Sequence, residues 1–121
     1  MPERKKESRA DKVKRSAVRS KTSYSVQLDD ALLAELRPWP KSDRKRVGDA
    51  IRKSQENFGK PHLHSGTGIH DLSPSGKRLH VYECRVSQSL RLVFTLERPA
   101  LLYFHMIGTH DEVQRFLKSF L

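Results

Sequence analysis

The fold is decided by residues 79 to 121, which read LHVYECRVSQSLRLVFTLERPALLYFHMIGTHDEVQRFLKSFL. Three runs rich in β-branched, aromatic and leucine side chains follow one another, at Leu79 to Val86, Leu90 to Leu96 and Leu101 to Ile107. Short turns separate these runs, which predicts neighbouring antiparallel strands. The third run is apolar almost throughout, as is typical of a strand buried on both faces near the middle of a sheet.

A helix is predicted to close this stretch. Thr109-His110-Asp111-Glu112 fits a capping box, in which the hydroxyl of Thr109 and the carboxylate of Glu112 satisfy amides at the start of the helix. The apolar residues that follow recur at helical spacing and predict a helix docked on the sheet: Val113, Phe116, Leu117 and Phe120.

The residues before this stretch predict one strand and two helices. Tyr24 to Leu28 alternates as a strand does, and Asp29 or Asp30 is placed to cap a helix from Ala31 to Leu36. Prolines then end that helix, and a second one is predicted from Ser42 to about Asn57. Its Gly48 suggests close packing between the two helices. The element order predicts an α+β domain with a twisted, mainly antiparallel sheet, an N-terminal helical hairpin and a C-terminal helix, with the helices on one side.

The chain is strongly basic, and its charge is unevenly distributed. It has 121 residues and a formal net charge of +10. Residues 1 to 23 hold nine basic and three acidic residues, a net charge of +6, with almost no apolar side chains. Such a segment cannot bury enough surface to offset its ordering entropy, so it predicts a disordered basic arm ahead of a single domain at 24 to 121. A nucleic acid or an acidic protein is the expected partner.

Several classes of protein are excluded by composition. Cys84 is the single cysteine, so an intrachain disulfide or a cysteine-rich zinc site is excluded, and Cys84 is predicted to be a buried small apolar residue. The sequence contains no run of ~18 apolar residues, so no membrane-spanning helix is predicted. The basic N-terminus has no apolar run behind it, so no secretory signal is predicted. We therefore expect a cytoplasmic protein.

Three residues are the predicted catalytic groups: Arg85, Arg91 and His110. Arg91 interrupts an apolar run, where a guanidinium is costly unless it reaches water or an anion. A phosphate contact and a salt bridge to Glu83 are both open interpretations of Arg91. Glu83 is also an alternative partner for Arg85, and a plain surface position is the alternative for His110.

Five further residues are predicted to contact nucleic acid: Lys77, Arg78, His80, His62 and His64. A solvated turn is the alternative for Lys77 and Arg78. His62 and His64, taken with His70, lack any established zinc spacing, so a loop is favoured over a metal site and no metal is predicted. His105 alternates with buried positions and predicts a hydrogen-bonded histidine of the core.

The sequence resembles the RelE/ParE superfamily of bacterial toxins, with YafQ-like and phage-derived HigB-like branches as the nearest. Tyr82-Glu83-Cys84-Arg85-Val86 is similar to the family's YELRV strand, and Leu90-Arg91-Leu92-Val93-Phe94 is similar to its YRLVY strand. Gly108-Thr109-His110 is similar to the GTH segment at the end of its last strand. The resemblance covers Tyr24 to Phe120.

The resemblance implies an endoribonuclease that cleaves mRNA in the ribosomal A site without a metal or another cofactor. Arg91 stands where the family has a phosphate-contacting arginine, and His110 stands where it has a general acid. A cognate antitoxin, the ribosome and mRNA are the implied partners. The candidates for accepting the proton of the 2′-hydroxyl are His62, His64, His70 and His80.

The sequence also departs from that pattern, which keeps two other functions open. Arg85 and Ser89 replace a histidine and an aspartate of the YafQ-like pattern, and Gln114 replaces an aromatic residue that would stack on a base. A non-enzymatic inhibitor of gyrase, as in the ParE branch, is one alternative. An RNA-binding domain without catalysis is the other, and it is favoured if the basic arm dominates the affinity.

Deleting residues 1 to 23 is predicted to flatten the salt dependence of nucleic-acid binding. Each neutralised phosphate contributes about 0.7–0.9 to the slope of log affinity against log salt, and the arm has a net charge of +6. Titration of a fluorescent RNA at several salt concentrations measures the slope. An unchanged slope would show that the arm does not contact the nucleic acid.

Overall fold

The computed structural model describes residues 24–60, 68–73 and 80–121. Its strands are β1 (Ser25–Leu28), β2 (His70–Asp71), β3 (Val81–Arg85), β4 (Arg91–Glu97) and β5 (Leu101–Gly108). Its helices are α1 (Asp30–Leu36), α2 (Lys41–Asn57) and α3 (His110–Phe120). None of the helices within these ranges is both long enough and apolar enough to cross a membrane. Lys77, Arg78, His62, His64 and the arm at residues 1–23 lie outside the described residues.

The five strands form one mixed sheet in the order β1-β5-β4-β3-β2. The pairs β2–β3, β3–β4 and β4–β5 are antiparallel, as the consecutive apolar runs predict. β1 instead lies parallel to β5, because the helical hairpin carries the chain across the sheet before it returns. The prediction of an α+β domain with a mainly antiparallel sheet is therefore confirmed.

The helical hairpin covers one face of the sheet. The side chains of Leu32 on α1 and Val47 on α2 are almost completely buried there. They share a core with Cys84, Leu92 and Phe94. Leu92 and Phe94 are two residues apart on β4 and so point to the same face, and Cys84 on β3 lies directly opposite Leu92. Burial raises the pKa of the Cys84 thiol to about 11, so Cys84 is the inert apolar residue that the sequence predicts.

The C-terminal helix covers the opposite face, so the prediction that all helices lie on one side is wrong. Val113 and Leu117 of α3 form a second core with Val81 and Val93, with Phe116 among the residues packed against it. Val93 lies between Leu92 and Phe94 in β4 and therefore points the other way. Without α3 this face would expose the apolar side chains of three strands, which explains the apolar stripe on the helix.

His105 lies in the second layer, between the sheet and α3. Pairing passes from Val93–Met106 to Phe94–Phe104, so His105 is the extra residue of a β-bulge. Its Nε2 lies 2.8 Å from Oγ1 of Thr95, and its ring centroid lies 4.9 Å from that of Phe120. This half-buried, hydrogen-bonded position agrees with the predicted core histidine.

Replacement of Gly48 by alanine is predicted to stabilise the domain. A Cβ at this exposed position in α2 would meet no atom within 4 Å, so the predicted close packing of helices at Gly48 is wrong. The gain in the free energy of unfolding should be about 0.5–1 kcal/mol, because glycine loses the most backbone entropy in a helix. Denaturant unfolding measures it. Gly68→Ala is the control: Gly68 has φ of 71° and its added Cβ would lie 2.8 Å from Cβ of Arg85, so that variant should lose stability.

Acid is predicted to destabilise the domain in part through His105. Burial lowers its pKa from the ordinary 6.5, although the charges of Asp29 and Glu97 oppose this shift. The unfolded chain therefore binds the proton more readily, so the stabilisation is complete above pH ~6.5 and is lost as the pH falls through the folded pKa. Denaturant midpoints at pH 8 and pH 5 should differ less in His105→Gln than in the unaltered chain. Equal differences would contradict this assignment.

Candidate nucleic-acid interface

The three predicted catalytic residues lie at one end of the sheet. Arg85 at the end of β3 pairs directly with Arg91 at the start of β4, and Arg91 pairs with Gly108 at the end of β5. His110 follows Gly108 by two residues as the first residue of α3. Side chains directly opposite in an antiparallel pair lie about 4.5–5.5 Å apart at Cβ. The structure therefore brings the two arginines together and places the histidine one strand away.

The two opposed arginines repel each other and have no carboxylate between them. Like charges directly opposite in a sheet destabilise it. Across residues 24–60, 68–73 and 80–121 no salt bridge involves either arginine, so the bridge to Glu83, the alternative interpretation of Arg91, is not formed. Arg85 is exposed and Arg91 is half-buried. An anion at this end of the sheet would relieve the repulsion.

Arg91 is held in place by the turn between β3 and β4. Its Nη1 donates to the backbone carbonyls of Ser87, Gln88 and Leu90 at 2.7, 3.1 and 3.2 Å. None of the hydrogen bonds within the described part of the chain uses Nη2 or Nε of Arg91. One edge of the guanidinium is thus fixed, while its other donors remain available to a phosphate.

His110 is positioned by the predicted capping box, which the structure confirms. The amide of Thr109 donates to Oε1 of Glu112 at 2.8 Å, and the amide of Glu112 donates to Oγ1 of Thr109 at 3.3 Å. A Cβ on Gly108 would lie only 2.8 Å from the same Oε1, so only glycine lets the strand meet the cap this closely. His110 is exposed at this junction, one helical turn before the exposed Gln114.

His80 lies away from the arginine pair. It precedes β3, whereas Arg85 ends it, which separates them by about 17 Å at ~3.4 Å per residue. Nδ1 of His80 lies 3.6 Å from Oδ2 of Asp71. Burial raises the pKa of Asp71, but hydrogen bonds from Ser73 and the charge of His80 outweigh this and leave that pKa below its ordinary value.

His70 on β2 lies on the strand next to Arg85, within the described part of the sheet. It pairs directly with Glu83, which shares a face of β3 with Arg85 two residues further on. The sequence alone does not distinguish His70 from His62, His64 and His80, and it predicts only a structural role for Glu83. The register between β2 and β3 is what separates them, and no sequence motif carries that information.

The acidic, cysteine and histidine side chains do not form a metal site within the residues that the structure places. No three of them lie close enough to one another to hold an ion. The groups that lie at the end of the sheet are instead two arginines, with a histidine one strand away. This set recognises anions.

Comparison with solved structures places this architecture in a known class, the RelE-like fold. A chain of the archaeal RelE-RelB complex from Pyrococcus horikoshii superposes with a TM-score of 0.58 at 15% identity, over 72% of this chain and 94% of that one. A chain of the Escherichia coli DinJ-YafQ toxin-antitoxin complex gives a TM-score of 0.47 at 21% identity, over 75% and 97%. No family model and no curated protein matches the sequence. The predicted RelE-like fold is confirmed, on the archaeal superposition. Membership of the RelE/ParE superfamily and of a branch within it stays a prediction.

Proposed function

We propose that this protein is the toxin of a toxin–antitoxin system and an endoribonuclease that cleaves ribosome-bound mRNA without a metal. One observation carries the proposal: Arg85 and Arg91 oppose each other one strand from His110, and no carboxylate of the described residues forms a salt bridge with either. Such an arrangement costs stability in the free protein and is repaid when a phosphate lies between the charges.

The arginines would stabilise the charge that develops on the scissile phosphate. In the proposed reaction the 2′-oxygen attacks the adjacent phosphorus, a bond forms between these atoms, and the bond from phosphorus to the 5′-oxygen breaks. The products are a 2′,3′-cyclic phosphate and a free 5′-hydroxyl. Arg91 presents the donors that the turn leaves available, and Arg85 supplies a second guanidinium from the neighbouring strand.

Two proton transfers complete this reaction. His110 would give a proton to the departing 5′-oxygen from its exposed place at the start of α3. His70 would take the proton of the 2′-hydroxyl, because it is exposed and opposes Glu83 beside the arginine pair. Glu83 is the other group on that face able to accept it. Balanced transfer of this kind needs no further co-reactant.

An acidic antitoxin is the proposed protein partner. The archaeal structure that superposes on this chain is described as a complex of RelE with RelB. The net charge of +10 on the present chain favours an acidic protein as its inhibitor, and the same charge favours the ribosome and mRNA as targets. Residues 77, 78, 62 and 64 remain proposed RNA contacts, as does His80 at the far end of β3.

A second candidate function is a non-enzymatic inhibitor of gyrase, in the manner of the ParE branch. The observation in its favour is Gln114, which is exposed one turn after His110 where the nuclease pattern has an aromatic residue. Phe116, the nearest aromatic residue of α3, packs against His105 and Phe120 and so cannot stack on a base. A chain that binds RNA without cutting it is the third candidate.

Alanine at Arg85 and glutamine at His110 are predicted to suppress mRNA cleavage while the domain stays folded. Loss of a charge-stabilising donor costs about 10²–10³ in rate, and loss of a general acid costs about 10²–10⁴. Arg91→Lys should retain only part of the activity, because one ammonium cannot hold both the turn and a phosphate. The full chain is induced in cells, and mRNA cuts are mapped by primer extension alongside growth.

Arg98→Ala is the matched control, since it removes an exposed arginine from the turn at the other end of β4. It should leave cleavage unchanged, and thermal unfolding of each purified variant checks that the fold survives. Plasmid topoisomers are measured in the same cells. Growth arrest with intact mRNA and altered topoisomers would overturn the nuclease and establish the gyrase inhibitor. Intact mRNA with unaltered topoisomers would leave RNA binding without catalysis as the remaining candidate function.

A further inference from the structure

A second cationic site lies beside the arginine pair, in a cleft between α2 and the turn that joins β3 to β4. The cleft has a volume of about 470 Å³, which is within the ~300–1,000 Å³ of ordinary ligand sites. Its charged lining residues are Arg46, Asp49, Lys53 and Arg85, and the remaining ones are Ala50, Val86 and Ser87. Helix α2, the end of β3 and the turn after it therefore frame a small, open, basic cleft.

The single carboxylate of the cleft is already engaged by other cations. Asp49 accepts from Nζ of Lys45 at 3.3 Å and from Nη2 of Arg52 at 3.1 Å, on the outer side of α2. The hydrogen bond from Lys45 and the charges of both neighbours hold the pKa of Asp49 below its ordinary value. No salt bridge among the placed residues neutralises Arg46, Lys53 or Arg85. The cleft thus presents an excess of positive charge.

The spacing of these cations suits a chain of charges better than one small anion. Arg46 and Lys53 are seven residues apart on α2, so they share one flank of the helix and are separated by about 10 Å along its axis. Arg85 lines the cleft and is also the direct cross-strand neighbour of Arg91. Arg85 therefore borders both the cleft beside α2 and the arginine pair at the end of the sheet.

The lining also distinguishes between two classes of polyanion. Protein segments gain most of their affinity from apolar or aromatic anchors in desolvated pockets. This cleft offers only Ala50 and Val86 as apolar lining residues. A nucleic-acid backbone requires no such anchor, because its affinity comes from phosphate neutralisation.

We propose that this cleft binds the backbone phosphates of RNA flanking the nucleotides at Arg91 and His110, with Arg46 and Lys53 each meeting a phosphate. The path of the RNA strand rests on the proposed function, which places the scissile phosphate at Arg91 and His110. The cleft adds a stretch of α2 to the interface, which the family resemblance did not indicate. Arg85 connects the two parts, and RNA beyond about three nucleotides would reach the cleft.

The test measures binding and not cleavage. Fully 2′-O-methylated oligouridylates of three and ten nucleotides cannot be cut by attack of the 2′-oxygen, so they report the cleft whether or not the chain is a nuclease. The double variant Arg46→Gln with Lys53→Gln should lower the salt slope for the ten-nucleotide probe by about 1.4, which is two phosphates at ~0.7 each. Counted from equal affinities at 1 M salt, the variant should bind the ten-nucleotide probe roughly 25-fold more weakly than the unaltered chain at 0.1 M salt. Binding of the three-nucleotide probe should be unaffected.

The double variant Lys41→Gln with Arg44→Gln is the matched control. It removes the same charge from exposed positions of the same helix that do not line the cleft. Asp49→Asn should act in the opposite direction and tighten binding of the longer probe, since it removes the one carboxylate and releases Lys45 and Arg52. A role in stability alone cannot produce that gain.

Two outcomes would overturn the proposal. Equal loss of slope in both double variants would show that the charge of α2 acts without a site. An unchanged slope in the cleft variant, with lost binding of an octaglutamate peptide, would assign the cleft to an acidic protein segment. Failure of mRNA cleavage in cells would sink the nuclease and leave these binding measurements valid.

Discussion

Both faces of β4 are covered, and this constraint determines where the protein can place a functional charge. Leu92 and Phe94 point into the core beneath α1 and α2, while Val93 points into the core beneath α3. A guanidinium in the middle of such a strand would lose its hydration without gaining a partner. Arg91 avoids this cost because it is the first residue of β4, where the strand leaves the covered region and the turn carbonyls are within reach. The candidate site therefore lies at the end of the sheet.

The strands and their two faces could be predicted from the alternation of apolar side chains, because that alternation is a property of the chain itself. The position of α3 could not, since Val93 and Thr95 alternate with Arg91 and suggest a polar surface until a helix is placed on them. The opposed arginines depend on the register between β3 and β4, and the placement of His70 depends on a strand of two residues. The contacts of Arg91 are with a local turn, whereas sequence patterns direct attention to a partner across the sheet.

In the proposed site, the repulsion between Arg85 and Arg91 is resisted by the backbone that holds them in place. Two arginines side by side favour separation, and the surrounding backbone prevents it through the β3–β4 ladder and the three carbonyls that hold Arg91. The close meeting of Gly108 with Glu112 fixes the start of α3 against the same end of the sheet. Such a preorganised cluster gains more from an incoming phosphate than a flexible one, because little ordering entropy is lost on binding.

Asp29 links the first helix to strand β5, and this has a consequence for how the chain reaches its native state. Its Oδ2 caps α1 and its Oδ1 accepts from the hydroxyl of Tyr103, across a sequence separation of 74 residues. β1 also has its neighbour in β5, so the first strand has no place in the sheet until β5 has been synthesised. A topology with such distant pairings folds more slowly than one built from neighbours, because loop closure precedes the stabilising contacts. On the ribosome, β1 therefore cannot join the sheet until β5 has been synthesised. The end of the sheet that holds Arg85 and Arg91 is complete only then, because Gly108 of β5 is the partner of Arg91.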